Sequence, residues 1–253
     1  MYVIAPFRLD DRVAVVTGAS SGLGARFARV LSAAGAKLVL AARRKDRLEA
    51  LARELGDALP VACDVTDEAQ VSHLFDAAMK RYGQIDILVN GAGDADPYAA
   101  EEEPLKAFAD IIALNLTAAF SVAQHAARPM LARGRGSIIN MASVLGLVGG
   151  GLRAVPGYAA SKGGLVNLTR ELALEWAGRG VRVNALAPAY FESELTAGIF
   201  ANKKALEVIG RMTPMGRPGL SHELDGPLLF LASDASSYVT GQILAVDGGY
   251  LAH

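Results

Sequence analysis

The sequence predicts an α/β protein, a doubly wound parallel sheet of about seven strands with helices on both faces, formed as a single domain over residues 1–253. Three observations carry this expectation. Short β-branched runs alternate with longer segments of helical period along the whole chain. A glycine-rich turn joins the first strand-like run to the first helix-like run. No long linker divides the sequence.

The strands are expected at residues 13–17, 37–41, 59–63, 85–89, 136–141, 181–186 and 243–246. Helices are expected at 22–34, 46–55, 67–82, 105–128 and 157–177, several opening on an acidic or small polar residue that can cap the first turn. Asp67 followed by Gln70 reads as a capping box. Residues 190–218 are less periodic and follow the sixth strand, so they read as a substrate lid, with an ordinary helical excursion as the alternative.

With 52% hydrophobic residues and 25 basic against 26 acidic side chains, the chain lacks the charge asymmetry of a nucleic-acid or membrane-surface binder, and the expected partner is a small molecule. The start lacks the pattern of a secretory signal, and no apolar run is read as long enough to span a bilayer. The single cysteine, Cys63, cannot close an internal disulfide and sits in an apolar run, which fits a reducing, cytoplasmic setting.

The turn Thr17-Gly18-Ala19-Ser20-Ser21-Gly22-Leu23-Gly24 suits a pyrophosphate: glycine permits a sharp turn and close approach, and a helix start offers unpaired N–H groups. A tight turn without a ligand is the plain alternative. The second strand ends in Ala42, Arg43 and Arg44, where an NAD-preferring fold would carry a carboxylate for the adenosine ribose. Arg43 is therefore expected to grip a 2′-phosphate, favouring NADP(H) over NAD(H), with Arg44 a solvated charge. Asp64 and Val65 follow the third strand, where Asp64 either holds the adenine or caps the next helix. Asn90, Gly91, Ala92 and Gly93 follow the fourth, in a loop poor in side chains that lets a cofactor lie against the backbone.

Tyr158 and Lys162 are four residues apart at the start of a strong helical pattern, so they share a face. A free tyrosine has a pKa of about 10, and a nearby cation lowers it toward the range useful for proton exchange. Ser143 ends the preceding strand, where ligands of open α/β sheets bind. Such a Tyr–Lys pair on a helix is common without function, and the surrounding residues give it weight.

Together, Thr17 to Gly24, the Asn-Gly-Ala-Gly loop, Asn115, Ser143 and the Tyr158-x-x-Ser161-Lys162 pattern resemble the short-chain dehydrogenase/reductase family, with its Rossmann-type fold, over essentially the whole chain. The resemblance implies that Tyr158 is the general acid in reduction and base in oxidation, and that Ser143 polarises the carbonyl. It implies that Lys162 holds the nicotinamide ribose and lowers the tyrosine pKa, with Asn115 supporting a water relay. The same resemblance puts Gly18, Ser20, Ser21, Gly22, Leu23, Gly24, Asp64, Val65, Asn90, Gly91 and Ala92 against the cofactor, with Pro188, Ala189 and Phe191 near the nicotinamide. No metal is required. A homo-oligomer, commonly a tetramer, is implied, with the helices at 105–128 and 157–177 packing across a twofold axis.

The sequence departs from the family pattern at Ala189, where glycine usually follows the proline, at Gly91, and at the added glycines 149–151. The expected reaction is hydride transfer between NADP(H) and a ketone or secondary alcohol, an apolar or aromatic ketone being favoured over a sugar. A 3-oxoacyl-thioester reductase and a sugar or polyol dehydrogenase are the enzymatic alternatives, and a non-catalytic nucleotide-binding scaffold is the alternative of another class.

Overall fold

The computed structural model describes residues 5–252. Seven parallel strands, β1 (Val13–Thr17), β2 (Lys37–Ala42), β3 (Ala58–Ala62), β4 (Ile87–Asn90), β5 (Gly136–Met141), β6 (Val181–Pro188) and β7 (Ile243–Val246), form one sheet in the order β3-β2-β1-β4-β5-β6-β7. The seven expected strands are present, with ends shifted by a residue or two. Every residue of β1, β4 and β5 is buried, because helices cover both faces, and the few polar ones, Thr17, Asn90, Ser137 and Asn140, are hydrogen-bonded.

Alternation along β1 splits the core in two. Val13 and Val15 face the layer formed with α3 (Glu68–Tyr82), α5 (Ala118–Arg133) and α6 (Pro156–Ala177). Ala14 and Val16 face α1 (Gly22–Ala33), α2 (Lys45–Leu55) and α9 (Asp225–Ala232). Connections run from β1 outward to β3 and then return to β4, so the chain reverses between β1 and β4. The loops leaving those two strands open a crevice at their carboxyl ends, where ligands of such sheets bind.

The expected helix at 105–128 is two helices, α4 (Leu105–Ile112) and α5, joined without a break by a π-turn at Ala113–Thr117. An 18-residue window of the continuous stretch Leu105–Arg133 has a mean hydropathy of 1.5, so by length and composition alone this helix could cross a bilayer, where the sequence was read as holding no such run. Its inner face, including Val122, Ala126 and Met130, belongs to the core against the sheet. Residues 190–218 carry two helices, α7 (Ala197–Phe200) and the amphipathic α8 (Lys203–Met212). Helix α9 was not legible beforehand, since its residues are apolar on all sides and show no helical period.

Candidate active site

At the carboxyl end of β1 the chain turns through Gly18 (φ 71°) and Gly22 (φ 51°) into α1, conformations that favour glycine. A β-carbon on Gly24 would stand 2.2 Å from the Gly18 carbonyl oxygen, so the turn closes only on glycine there. Ser21 is the N-cap of α1 but its side chain makes no capping bond, which leaves the first N–H groups of the helix open to an anion. Thr17 locks this turn to the β4 loop: its Oγ1 accepts from the backbone N–H of Gly91 (2.9 Å) and Ala92 (3.2 Å). The glycine cradle, the open helix start and the Ser20 and Ser21 hydroxyls fit a dinucleotide.

Several residues expected at the cofactor have their side chains engaged within the protein. The Asn90 amide donates to the Ala119 carbonyl (2.7 Å) and to Asn140 Oδ1 (3.2 Å) inside the core, so it braces the loop that presents Gly91 and Ala92. Asp64 neither stands free nor caps α3. Its carboxylate accepts from the Thr66 N–H and hydroxyl, holding it below the ordinary range, while Asp67 caps α3 through Ala69 and Gln70. The Gln70 side chain meets the Asp67 carboxylate rather than its N–H, so the expected capping box is half formed. Val65 is buried in the core, and Leu23 is half-buried beneath the turn. The Phe191 ring is also buried, against Gly219.

Of the two arginines after β2, Arg44 departs from its expectation as a solvated charge. Arg43 is exposed and sits near Asp64, whose acidity it increases. Arg44 instead folds onto the glycine turn: its Nη2 donates to Ser20 Oγ (2.9 Å), Ser21 Oγ (2.7 Å) and Glu194 Oε2 (2.9 Å). Arg47 Nη1 donates to the other Glu194 oxygen at 2.5 Å. Sequence reasoning had no signal for Arg47 and Glu194, because a contact across 147 positions leaves no local spacing.

At the chemical end, α6 begins with Pro156 at its first turn and Glu103 accepting from the Gly157 N–H (3.2 Å), which fixes the helix start one residue before Tyr158. Lys162 is buried, and its Nζ donates to the Met141 carbonyl at 2.7 Å, 5.5 Å from the centre of the Tyr158 ring. Burial pushes the Lys162 ammonium down to about 8. Burial likewise pushes the Tyr158 phenol above its ordinary value, opposed by its hydrogen bond with Ser143. Desolvation thus outweighs the expected lowering by the ammonium, and Ser143 provides the downward influence.

Asn115 lies within the π-turn, where the extra residue per turn aims it at the site. Its amide donates to the Asp94 carbonyl (2.8 Å) and to Ser161 Oγ (3.0 Å), and its Oδ1 accepts from the Asp94 N–H (3.0 Å). Asn115 from the π-turn, Ser143 from the end of β5, and Tyr158 and Lys162 from α6 therefore converge from three elements. Beside Tyr158 and Ser143 opens a cavity with apolar walls, Pro97, Leu145, Leu152, Leu195 and Ile199 among them, and one charged side chain, Arg153. Pro188 ends β6, and Ala189 follows without a positive φ, its N–H donating to the Val246 carbonyl (3.1 Å), so alanine is accommodated there.

A model of the family described as enoyl-(acyl carrier protein) reductase matches residues 18–251. The chain is 44% identical over 246 residues to galactitol 2-dehydrogenase (L-tagatose-forming) of Cereibacter sphaeroides, covering 96% of both chains. It is also 44% identical to cis-4-hydroxycyclohexanecarboxylate dehydrogenase of Sinomonas cyclohexanicum, over 96% of this chain and 97% of that one. Among solved structures, a gluconate 5-dehydrogenase from Burkholderia cenocepacia in complex with NADP and tartrate superposes with a TM-score of 0.95, at 38% identity and 100% coverage of both chains.

Proposed function

The chain belongs to the short-chain dehydrogenase/reductase family, and from that premise we propose that it oxidises a secondary alcohol bearing a carboxylate, and reduces the corresponding ketone, with NADP(H) as cofactor. The observation that carries the reaction is the convergence of Tyr158 and Ser143 beside one cavity, with Lys162 buried behind them. NADP(H), when bound, supplies or accepts the hydride. In oxidation Tyr158 takes the hydroxyl proton as the carbonyl forms, and in reduction it returns one to the carbonyl oxygen. Ser143 orients that oxygen by hydrogen bonding. Lys162 and Asn115 hold the base and its proton path in place, and Ser143 opposes the burial that raises the Tyr158 pKa.

The substrate class rests on Arg153. An apolar cavity with one cation at its rim suits a compact apolar body with an anionic end, since few polar groups in an apolar site set orientation. Among the described residues no carboxylate pairs with Arg153, whereas Arg44, Arg47 and Arg217 are each paired. The relative named for cis-4-hydroxycyclohexanecarboxylate and the neighbour holding tartrate both handle carboxylates. A neutral polyol is the second reading, favoured by the galactitol 2-dehydrogenase relative.

Turnover of 4-hydroxycyclohexanecarboxylate, gluconate and galactitol by the native enzyme and Arg153→Leu separates the two. The carboxylate reading predicts that an acid is preferred and that its KM rises at least about tenfold in the variant, with galactitol unaffected. Turnover of galactitol alone, indifferent to Arg153, supports the polyol reading.

We read the whole chain as one functional unit, with residues 190–218 covering the substrate side. The tetramer is supported by apolar side chains left outward on α4, α5 and α6, with Leu105 87%, Phe120 37% and Leu174 79% exposed. A reducing, cytoplasmic setting is supported by Cys63, buried as a thiol whose pKa is pushed up to about 11 by burial and by Asp64 and Asp67.

A further inference from the structure

Glu194 bridges two places that the reaction keeps apart, the phosphate-binding turn and the wall of the substrate cavity. Its carboxylate lies across Arg44 and Arg47. The next residues, Leu195 and Thr196, line the cavity beside Tyr158, as does Ile199. The backbone before it rests on the turn itself, since a β-carbon on Gly22 would stand 3.4 Å from Ser193 Cβ. The segment is tied into one body: the Ser193 N–H donates to Thr196 Oγ1 (2.9 Å), and that hydroxyl donates to the Phe191 carbonyl (2.6 Å).

Arg44 has little donor capacity to spare, its Nη1 reaching Glu194 Oε1 at 3.4 Å with one of its two hydrogens. Its Nη2 carries two hydrogens and already faces three oxygens, those of Ser20, Ser21 and Glu194, while its Nε donates to Ser20 Oγ at 3.1 Å. An anion that takes the Nη2 side of this guanidinium must displace one of these acceptors. Ser20 and Ser21 are fixed in the turn between β1 and α1, whereas Glu194 is on a loop with an exposed side chain. The same pairing holds the Glu194 carboxyl down at about 2, so it is an anion at any working pH.

We propose that Glu194 is an internal competitor for the cofactor's 2′-phosphate, occupying Arg44 and Arg47 until that phosphate displaces it and releases residues 193–199 from the glycine turn. NADP(H) then resets the substrate wall, and NAD(H), lacking the 2′-phosphate, leaves the latch in place. The inference rests on the NADP(H) reading above and adds to it a link between cofactor choice and the shape of the substrate cavity. It also assigns to Arg44 and Arg47 the phosphate contact expected of Arg43.

The test is calorimetric titration of native protein and Glu194→Gln with adenosine 2′,5′-bisphosphate and, separately, ADP, with hydrogen exchange followed over residues 190–200. The side chain is exposed and the replacement isosteric, and matching thermal melts establish that the variant is folded. The latch predicts that the variant binds the 2′,5′-bisphosphate about fivefold more tightly, with ADP changed less than about twofold. It also predicts that exchange over residues 190–200 in the unliganded variant rises to the level of the native protein with the 2′,5′-bisphosphate bound. Unchanged or weaker binding of the 2′,5′-bisphosphate by the variant would mean that Glu194 clasps the bound phosphate or ignores it, and would overturn the latch alone. Binding of ADP without the 2′,5′-bisphosphate in both proteins would overturn the NADP(H) reading and the latch with it.

Discussion

Lys162 carries its charge at a poorly solvated point of the molecule. Its folded pKa of about 8 lies below the value of about 10.4 for an unfolded lysine. Between those values the unfolded chain binds more protons, so this group makes stability rise with pH from about 8 to about 10.4, and below 8 its full penalty is present. Lys162→Met is therefore expected to raise the melting temperature at pH 7 while abolishing turnover. The gain has a ceiling of about 3 kcal/mol, reduced by the lost bond to the Met141 carbonyl. Thermal melts at pH 7 and pH 10 check this, because the advantage must shrink at the higher pH. A variant less stable than the native protein at both values would show that Lys162 serves the fold more than the reaction.

Among the elements, the turn from β1 into α1 tolerates least. A methyl group on Gly24 would meet the Gly18 carbonyl at 2.2 Å, a backbone contact that cannot swing aside. Gly24→Ala is expected to lose about 2–4 kcal/mol of stability and most of its dinucleotide affinity, read by denaturant melts and cofactor titration. That turn was legible in the sequence because glycine spacing is local and its strand and helix flank it directly. The Tyr158 to Lys162 face was legible for the same reason, as were the seven strands, whose apolar runs follow from burial on both faces. What was not legible depends on how distant segments meet. Arg43 and Arg44 are neighbours in sequence, and which one reaches the turn is decided by the backbone between β2 and α2, where Arg44 has φ −85° and ψ 88°. Glu194 became visible only when the loop after β6 came down on Arg44 and Arg47. The lowering of the tyrosine pKa by Lys162 follows from spacing alone only while desolvation is ignored.

For the whole molecule, the fold presents one crevice between β1 and β4 for the cofactor and one cavity beside Tyr158 for the alcohol, on the same edge of the sheet. The outward apolar residues of α4 to α6 await a partner copy in the tetramer reading. Leu174→Asp is expected to shift the native assembly toward smaller species in sedimentation velocity, and a native monomer would dispose of the tetramer. The claim on which the account turns is that Tyr158 moves the proton while the rest of the site holds substrate and cofactor. Its most direct test is Tyr158→Phe, assayed for NADPH-coupled carbonyl reduction alongside NADPH binding followed by fluorescence. The account predicts a loss of kcat of at least about a hundredfold with the NADPH dissociation constant unchanged, and turnover preserved in the variant would contradict it.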